Sequence, residues 1–554
     1  MDKLPIGPAQ CQAFTRRLET YRAGKRALDA RIVAAEEYWK LRHWRALRPN
    51  NPGEPEPASG WLVNTILSKH SNAMDAYPEP VCLAREAADQ PEAETLTAIL
   101  PVILEQNDFN RVWSEVWWYK LKSGTGVYGV FWDPNKLGGL GDITLEKVDV
   151  LNLFWAPGVK DIQASPYLFH VTLEDRETLE GAYPSLRGKL TTQPTLVRQY
   201  KTDEAPLNQD KAAVVDVYYK VGNLLHYCKY VGETVLFATE NEEGFRDRGL
   251  YDHGKYPFVF DPLFPEEGYP NCGYGYVDLC ADAQNTVDML NNCILQNTVA
   301  AATPRWFLRL DGGVNESEYA DLTKKFVHVA GRLGEDSVKQ ITQEPLPGAC
   351  LTYLQMKVDE IKQVSGNRDV NNGSSASVTA ASAIAALQEA GNGLSRDMIG
   401  AGYRAFRQVV ELCIELIRQF YTLPRKFRIL GRAGGWDYVT YGNGGLTWQQ
   451  LPQGLRLPVF DIQVQVQKQA EYTRQAENDL AAKLFQLGVF DPARVEQSLL
   501  LLSMMEFKGK QELIRRLMQA AQARAPQPLP GAVAEGARGE EHPFVEKARA
   551  VAQG

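Results

Sequence analysis

Residues 279–302 read LCADAQNTVDMLNNCILQNTVAAA, a run without glycine, proline, lysine or arginine. Leu279, Ala283, Val287, Leu290, Ile294 and Thr298 recur at spacings of three and four, the pattern of a helix with one apolar stripe. At about 1.5 Å per residue such a helix is roughly 36 Å long. Asn285, Asp288, Asn292 and Gln296 fall on another side, and Pro304 ends the run. A second amphipathic helix is predicted over 351–364, with Leu351, Leu354, Val358 and Ile361 in line. Neither stripe is wide enough to enclose a core of its own, so both helices must pack on neighbours. Any fold for this chain has to accommodate this pair and whatever lies between its members.

Between them, residues 303–347 read as a compact α/β insert. A strand at Arg305 to Leu310, an Asp-Gly-Gly turn, a helix near Glu316 to Val327 and a strand near Lys339 to Thr342 are predicted. After the second helix, residues 366–379 (GNRDVNNGSSASVT) have the composition of a flexible polar loop. A long helix rich in small residues is predicted over 380–421, with a break at Gly391 to Gly393. Residues 427–465 are β-rich with glycine turns. Residues 468–521 are helical, interrupted at Gly488 and restarted by Asp491 and Pro492 as N-cap and first position. The last thirty residues, full of Ala, Gly and Pro, are expected to be disordered.

The front of the chain mixes helices and strands. One basic helix is predicted over 10–47, ended by the Pro/Gly-rich linker 49–60. A helix over 61–74 and one or two helices over 95–121 follow, with Pro101 marking a helix start. Strands are predicted at 127–132, 143–148 and 167–173. A meander then runs from 213 to 220, 224 to 230 and 234 to 238, turned by Gly222-Asn223 and Gly232-Glu233. The fold class is α+β, with no internal repeat.

Several classes of function are disfavoured. The net charge is -8, against the basic balance of a tight nucleic-acid binder. Met1 to Arg48 carries eleven Lys/Arg and five Asp/Glu, a net of +6, so the remainder carries -14. The basic helix faces a capsid, a scaffold or packaged DNA, or is simply solvated. No GxxxxGK[ST], HExxH or GxSxG occurs. Gly124, Gly126 and Gly129 spell GxGxxG, but a helix precedes them and a strand follows, the reverse of a dinucleotide site. The seven histidines are dispersed and the eight cysteines have no CxxC spacing, so no metal site is expected and the thiols fit a reducing compartment. The opening residues lack a signal-peptide pattern, and no window of about twenty apolar residues suggests a membrane span.

The order of these segments resembles the portal proteins of tailed bacteriophages, over roughly 61–521. The front, from NTILSKHSNAMDAYPEP (Asn64 to Pro80) through WDP (Trp132 to Pro134) to GGLGDITLEKVDVLNLFWAP (Gly138 to Pro157), is similar to the portal wing. The succession of helix, α/β insert, helix, polar loop and long helix is similar to stem, clip, stem, tunnel loop and wing helix. The resemblance implies an α+β portal architecture: an α/β wing, a two-helix stem, a small α/β clip insert and a C-terminal helical crown. It places an N-terminal basic helix and linker at 1–60 and wing at 61–272. Stem helices fall at 273–302 and 348–365, on either side of a clip at 303–347. The tunnel loop is then 366–379, the long wing helix and β-rich return 380–466, the crown 467–523 and the tail 524–554.

On that resemblance the chain is a structural ring subunit at one capsid vertex and not an enzyme, about twelve copies closing the ring. It conducts double-stranded DNA without sequence specificity during packaging and ejection, assembles in the host cytoplasm and needs no cofactor. Its partners are the large terminase, the head-to-tail adaptor, and the major capsid and scaffold proteins; no membrane is involved. Asn285, Asp288, Asn292 and Gln296 are the expected lumen face, where an uncharged or acidic surface avoids the brake that phosphate-binding cations would apply. Lys357, Lys362, Arg368, Asn371, Asn372, Gly373, Ser374 and Ser375 are the expected DNA-contacting group around the tunnel loop. Arg305, Trp306, Arg309, Lys324, Lys325 and Arg332 are the expected partner-binding residues of the clip. The competing readings are a nucleic-acid-processing or carbohydrate-active phage enzyme, and a minor head or adaptor protein, the latter disfavoured by length.

Overall fold

A computed structural model describes residues 6–43, 57–184, 187–188, 190, 196–200, 210–302, 305–308, 315–320, 325, 328, 330, 338–341, 346–366, 393–430, 436–451, 454–468, 478, 481–486, 497–498, 501–502 and 505. Helices and strands are mixed throughout, an α+β chain. Two compact units are formed, one from Met1–Asn72, Val112–Gly129 and Glu146–Ala405, the other from Ala73–Arg111, Val130–Leu145 and Phe406–Gly554.

The first unit is organised by a five-stranded antiparallel sheet. Its strands are Leu153–Trp155, Tyr167–Asp175, Lys211–Val221, Leu224–Val231 and Thr234–Ala238, neighbours in space in the order of the chain. Strict alternation along 211–221 decides what each face meets. Ala213, Val215, Val217 and Tyr219 point into one core with Phe154, Phe169, Cys228 and Tyr230. Ala212 and Val214 point into a smaller cluster with Leu179 and Val231. The two hairpins close through Gly222 and Gly232, both with positive φ, at the turn positions the sequence indicates.

The basic N-terminal helix is not a solvated arm. It is two helices, Pro8–Gly24 and Arg26–Trp39, and not the single helix expected over 10–47. Cys11, Phe14 and Leu18 of the first close the larger face of the sheet, while Arg16 and Arg17 stay exposed. The break falls at Lys25, whose buried ammonium donates to the carbonyls of Val150 and Leu151 and pairs with Asp29 at 3.0 Å.

Helix Phe109–Ser123 enters strand Thr125–Asp133 through Gly124, whose φ is +85°. A Cβ there would lie 2.1 Å from the Gly273 carbonyl oxygen. The GxGxxG run is therefore a tight helix-to-strand turn.

In the second unit, helix Gln90–Gln106 buries Leu96, Ile99, Leu100, Ile103 and Leu104. It begins at Gln90 with Pro91 in its first turn; Pro101 lies inside it and does not mark a start. Strand Ala76–Ala84 pairs antiparallel with Phe460–Lys468, joining segments almost four hundred residues apart. Strands Arg425–Leu430 and Trp436–Tyr441 form a hairpin. Trp132 stacks on Phe420 at 4.5 Å, and the Tyr421 hydroxyl donates to Asp142 at 2.7 Å.

Of the 303–347 insert, strand Arg305–Leu308 pairs antiparallel with Val338–Ile341, and Glu316–Ala320 is helical. Residues 367–379 of the expected tunnel loop, nearly all of 467–523 apart from a helical piece at 481–486, and the tail 524–554 lie outside the described residues.

Candidate functional site

The two predicted helices form as Tyr276–Ala302 and Gly348–Ser365, and they pack together. Both touch helix Trp61–Met74: the Leu62 amide donates to Gln284 at 3.3 Å, and Thr65 lies against Ser365. Gln284 is near the start of one helix and Ser365 ends the other, so the pair runs antiparallel. Gly366, with φ +65°, caps the second helix.

Burial divides the pair sharply. In helix 276–302 the buried residues stop at Asn292; in helix 348–365 they begin at Val358. The remaining halves, 293–302 and 348–357, bury nothing fully. Large apolar side chains stand exposed on both helices: Leu279, Met289, Leu295 and Val299 on the first, Leu351, Tyr353, Met356 and Val364 on the second. Helix 276–302 carries Asp278, Asp282 and Asp288 and no basic residue.

The four residues expected on a polar lumen face do not share one surface. Asp288 is fully buried. Its carboxylate accepts from the Ser59 amide at 2.8 Å, the Ser59 hydroxyl at 2.6 Å and Gln284 Nε2 at 2.8 Å, and it pairs with His43 Nε2 at 2.9 Å. Asn292 is buried as well, and Asn285 accepts from the Tyr38 hydroxyl at 2.9 Å. Of the four, only Gln296 is exposed. The cause is physical: a carboxylate buried this deeply needs several donors, and the N-terminal segment brings them. A Gln and an Asp four residues apart was the one available signal, since such a pair on a helix marks one polar spot. The distant Tyr38, His43 and Ser59 gave none.

The cations expected near the loop are engaged within their own subunit. Lys357 pairs with Glu360 at 2.6 Å, and that hydrogen bond holds its pKa above the ordinary lysine value. The Lys362 ammonium sits 5.4 Å from the centroid of the Trp61 ring. Arg368, Asn371, Asn372, Gly373, Ser374 and Ser375 lie outside the described residues. In the insert, Arg305 faces Ile341 and Trp306 faces Gln340 in strand register, and Lys325 is exposed. Arg309, Lys324 and Arg332 are outside the described residues.

Buried polar residues that the sequence did not single out gather along helix 61–74. Lys69 Nζ donates to the Ser395 hydroxyl at 2.9 Å, and His70 stacks on Trp118 with its Nε2 3.0 Å from the Ser114 hydroxyl. Burial lowers the pKa of both Lys69 and His70. A cleft of about 580 Å³ elsewhere in the first unit is lined by Arg26, Asp29, Glu37, Tyr38, His43 and Arg198. Asp29 is neutralised there by Lys25 and, at 3.6 Å, by Arg198. Among the described residues no group of three or more His, Cys, Asp or Glu is arranged to hold a metal ion, and no helix is long and apolar enough to cross a membrane.

No curated protein matches the chain. The family model for the Phage P22-like portal protein matches residues 198–553, which takes in both exposed helices, the insert between them, the polar loop and the long helix after it. With more than half of its length matched, and with that succession of elements, this chain belongs to the Phage P22-like portal protein family.

Proposed function

We propose that the chain closes a ring at one capsid vertex, through which DNA enters during packaging and leaves during ejection. Portal proteins are virion components with a structural role. What carries this reading for the present chain is the helical pair: two antiparallel helices whose outer halves bury nothing within their own subunit and carry large exposed apolar side chains. Such faces are covered by other protein. In a cyclic assembly the same surfaces meet on every copy, and the ring leaves no edge open. The absence of Lys and Arg from helix 276–302 suits a conduit, because cations along it would grip phosphates and slow the passage of DNA.

In this reading the polar segment after Gly366 touches the DNA backbone through Arg368, Asn371, Asn372, Ser374 and Ser375, contacts that hold without reading sequence. The insert with Arg305, Trp306, Arg309, Lys324, Lys325 and Arg332 faces the terminase and afterwards the adaptor. Copy number near twelve, capsid and scaffold contacts and cytoplasmic assembly belong to the same reading.

Purified full-length chain tests it. Negative-stain microscopy and native mass spectrometry are expected to give closed rings with a central hole. Monomer alone at micromolar concentration, across several salt concentrations, would overturn it.

A further inference from the structure

Thr65, Lys69 and Asn72 are spaced four and three apart, so they share one face of helix 61–74. That face meets both flanks of a single stretch of chain. The Thr65 hydroxyl lies 3.5 Å from the Ser365 hydroxyl, on the last residue of helix 348–365. Lys69 Nζ donates to the Ser395 hydroxyl at 2.9 Å, and Asn72 Nδ2 lies 3.5 Å from the same oxygen. Ser395 is in the first turn of helix Gly393–Phe420. Thr65, Lys69, Ser365 and Ser395 are each at most 2 % exposed. The chain between Ser365 and Ser395 therefore leaves and returns within one helical turn of the same short helix.

Lys69 is an expensive residue at this point. Among the described residues no carboxylate pairs with it, so one hydroxyl offsets the desolvation of a whole ammonium. A methionine would fill much the same space without that penalty. A buried cation that works against stability but makes one well-aimed bond is suited to fixing a position.

We propose that Lys69, with Thr65, is the positioning residue that clamps the two ends of the 366–394 segment to helix 61–74 and so sets where that segment stands. The clamp is read from the geometry alone; that the clamped segment faces DNA rests on the portal reading.

The test uses full-length rings carrying Lys69→Met or Ser395→Ala, with Ser395→Thr as the variant that keeps the hydroxyl. Hydrogen exchange is followed at the described flanks, 362–366 and 393–398, with 276–292 as the internal reference. Loss of one charge-assisted bond is expected to raise exchange at 393–398 by about tenfold in the first two variants. Exchange at 276–292 and ring assembly stay as in wild type, and the thermal midpoint stays so in Lys69→Met; Ser395→Ala lowers the midpoint because it leaves the buried ammonium without that acceptor, and Ser395→Thr restores slow exchange. Unchanged exchange at the flanks in both Lys69→Met and Ser395→Ala overturns the clamp. So does a rise in Lys69→Met that is spread evenly over the unit with a fall in midpoint, which marks general stabilisation. Retention of packaged DNA separates the two readings. Fast exchange with reduced retention supports both; fast exchange with normal retention supports the clamp and removes the DNA role of the segment.

Discussion

Lys120 and Asp261 lie 2.7 Å apart, both at most 1 % exposed, with the ammonium 4.2 Å from the Trp117 ring centroid. Burial pushes the Lys120 pKa down and the Asp261 pKa up, and the mutual attraction opposes both shifts. Removing one partner strands the other charge in an apolar surround. Asp261→Asn is therefore expected to cost about 3–5 kcal/mol, while the joint change Lys120→Met with Asp261→Leu costs far less. Urea unfolding of the two variants, followed by the buried tryptophans, checks the contrast. If both lose the same stability, the penalty is not that of an orphaned charge. Nothing in the sequence links these residues, which stand 141 positions apart. A pairing of this kind exists only once helix 109–123 and strand Phe258–Pro262 have been brought together.

Elements with strong local patterns were legible in the sequence. The hairpins between 211 and 238 are placed by alternation and their glycine turns, and helix 276–302 by its stripe and the proline after it. Of the long helix expected over 380–421, Gly393–Phe420 is helical and 380–392 lies outside the described residues, and the strand-rich return appears where expected. What the sequence hid are features set by tertiary partners. The Lys25 ammonium, at the junction of the first two helices, is met by a carbonyl 125 residues away. Pro101 is tolerated inside helix 90–106, where buried neighbours outweigh its intrinsic cost. Asp288 looked like part of a wetted face because helix periodicity says which residues share a side and not what covers it. Asp288→Asn replaces one acceptor oxygen with an NH2 that faces existing donors, so a loss of about 3 kcal/mol is expected. Asn285→Ala, which removes a half-buried acceptor of a single hydroxyl bond, costs under about 1 kcal/mol. Thermal midpoints of the two variants give the comparison, and a smaller loss for Asp288→Asn than for Asn285→Ala would show that the buried carboxylate is not the staple described.

At the scale of the molecule, the proposed ring depends on side chains that do little for the isolated subunit. Leu351 and Met356 are 59 % and 61 % exposed. Replacing both with glutamate leaves the subunit folded by circular dichroism, because exposed sites tolerate charge. The same change abolishes rings in native mass spectrometry, because two carboxylates without partners then enter every interface of a closed cycle. Leu137→Glu, at an equally exposed position of the other unit, leaves rings intact and serves as the control. Rings that survive the double change would move the contact away from these helices. The half-helices 293–302 and 348–357 have a further consequence. Ten residues without a fully buried residue have little beyond backbone hydrogen bonds and each other to hold their helical order. Growth of the assembly is thus also the completion of its parts: a first pair orders only one side of each hairpin, and only closure orders all of them. The last subunit forms two interfaces where each earlier one forms a single interface, so closed rings are favoured over partial arcs, and subunit concentration acts as a threshold and not as a dial.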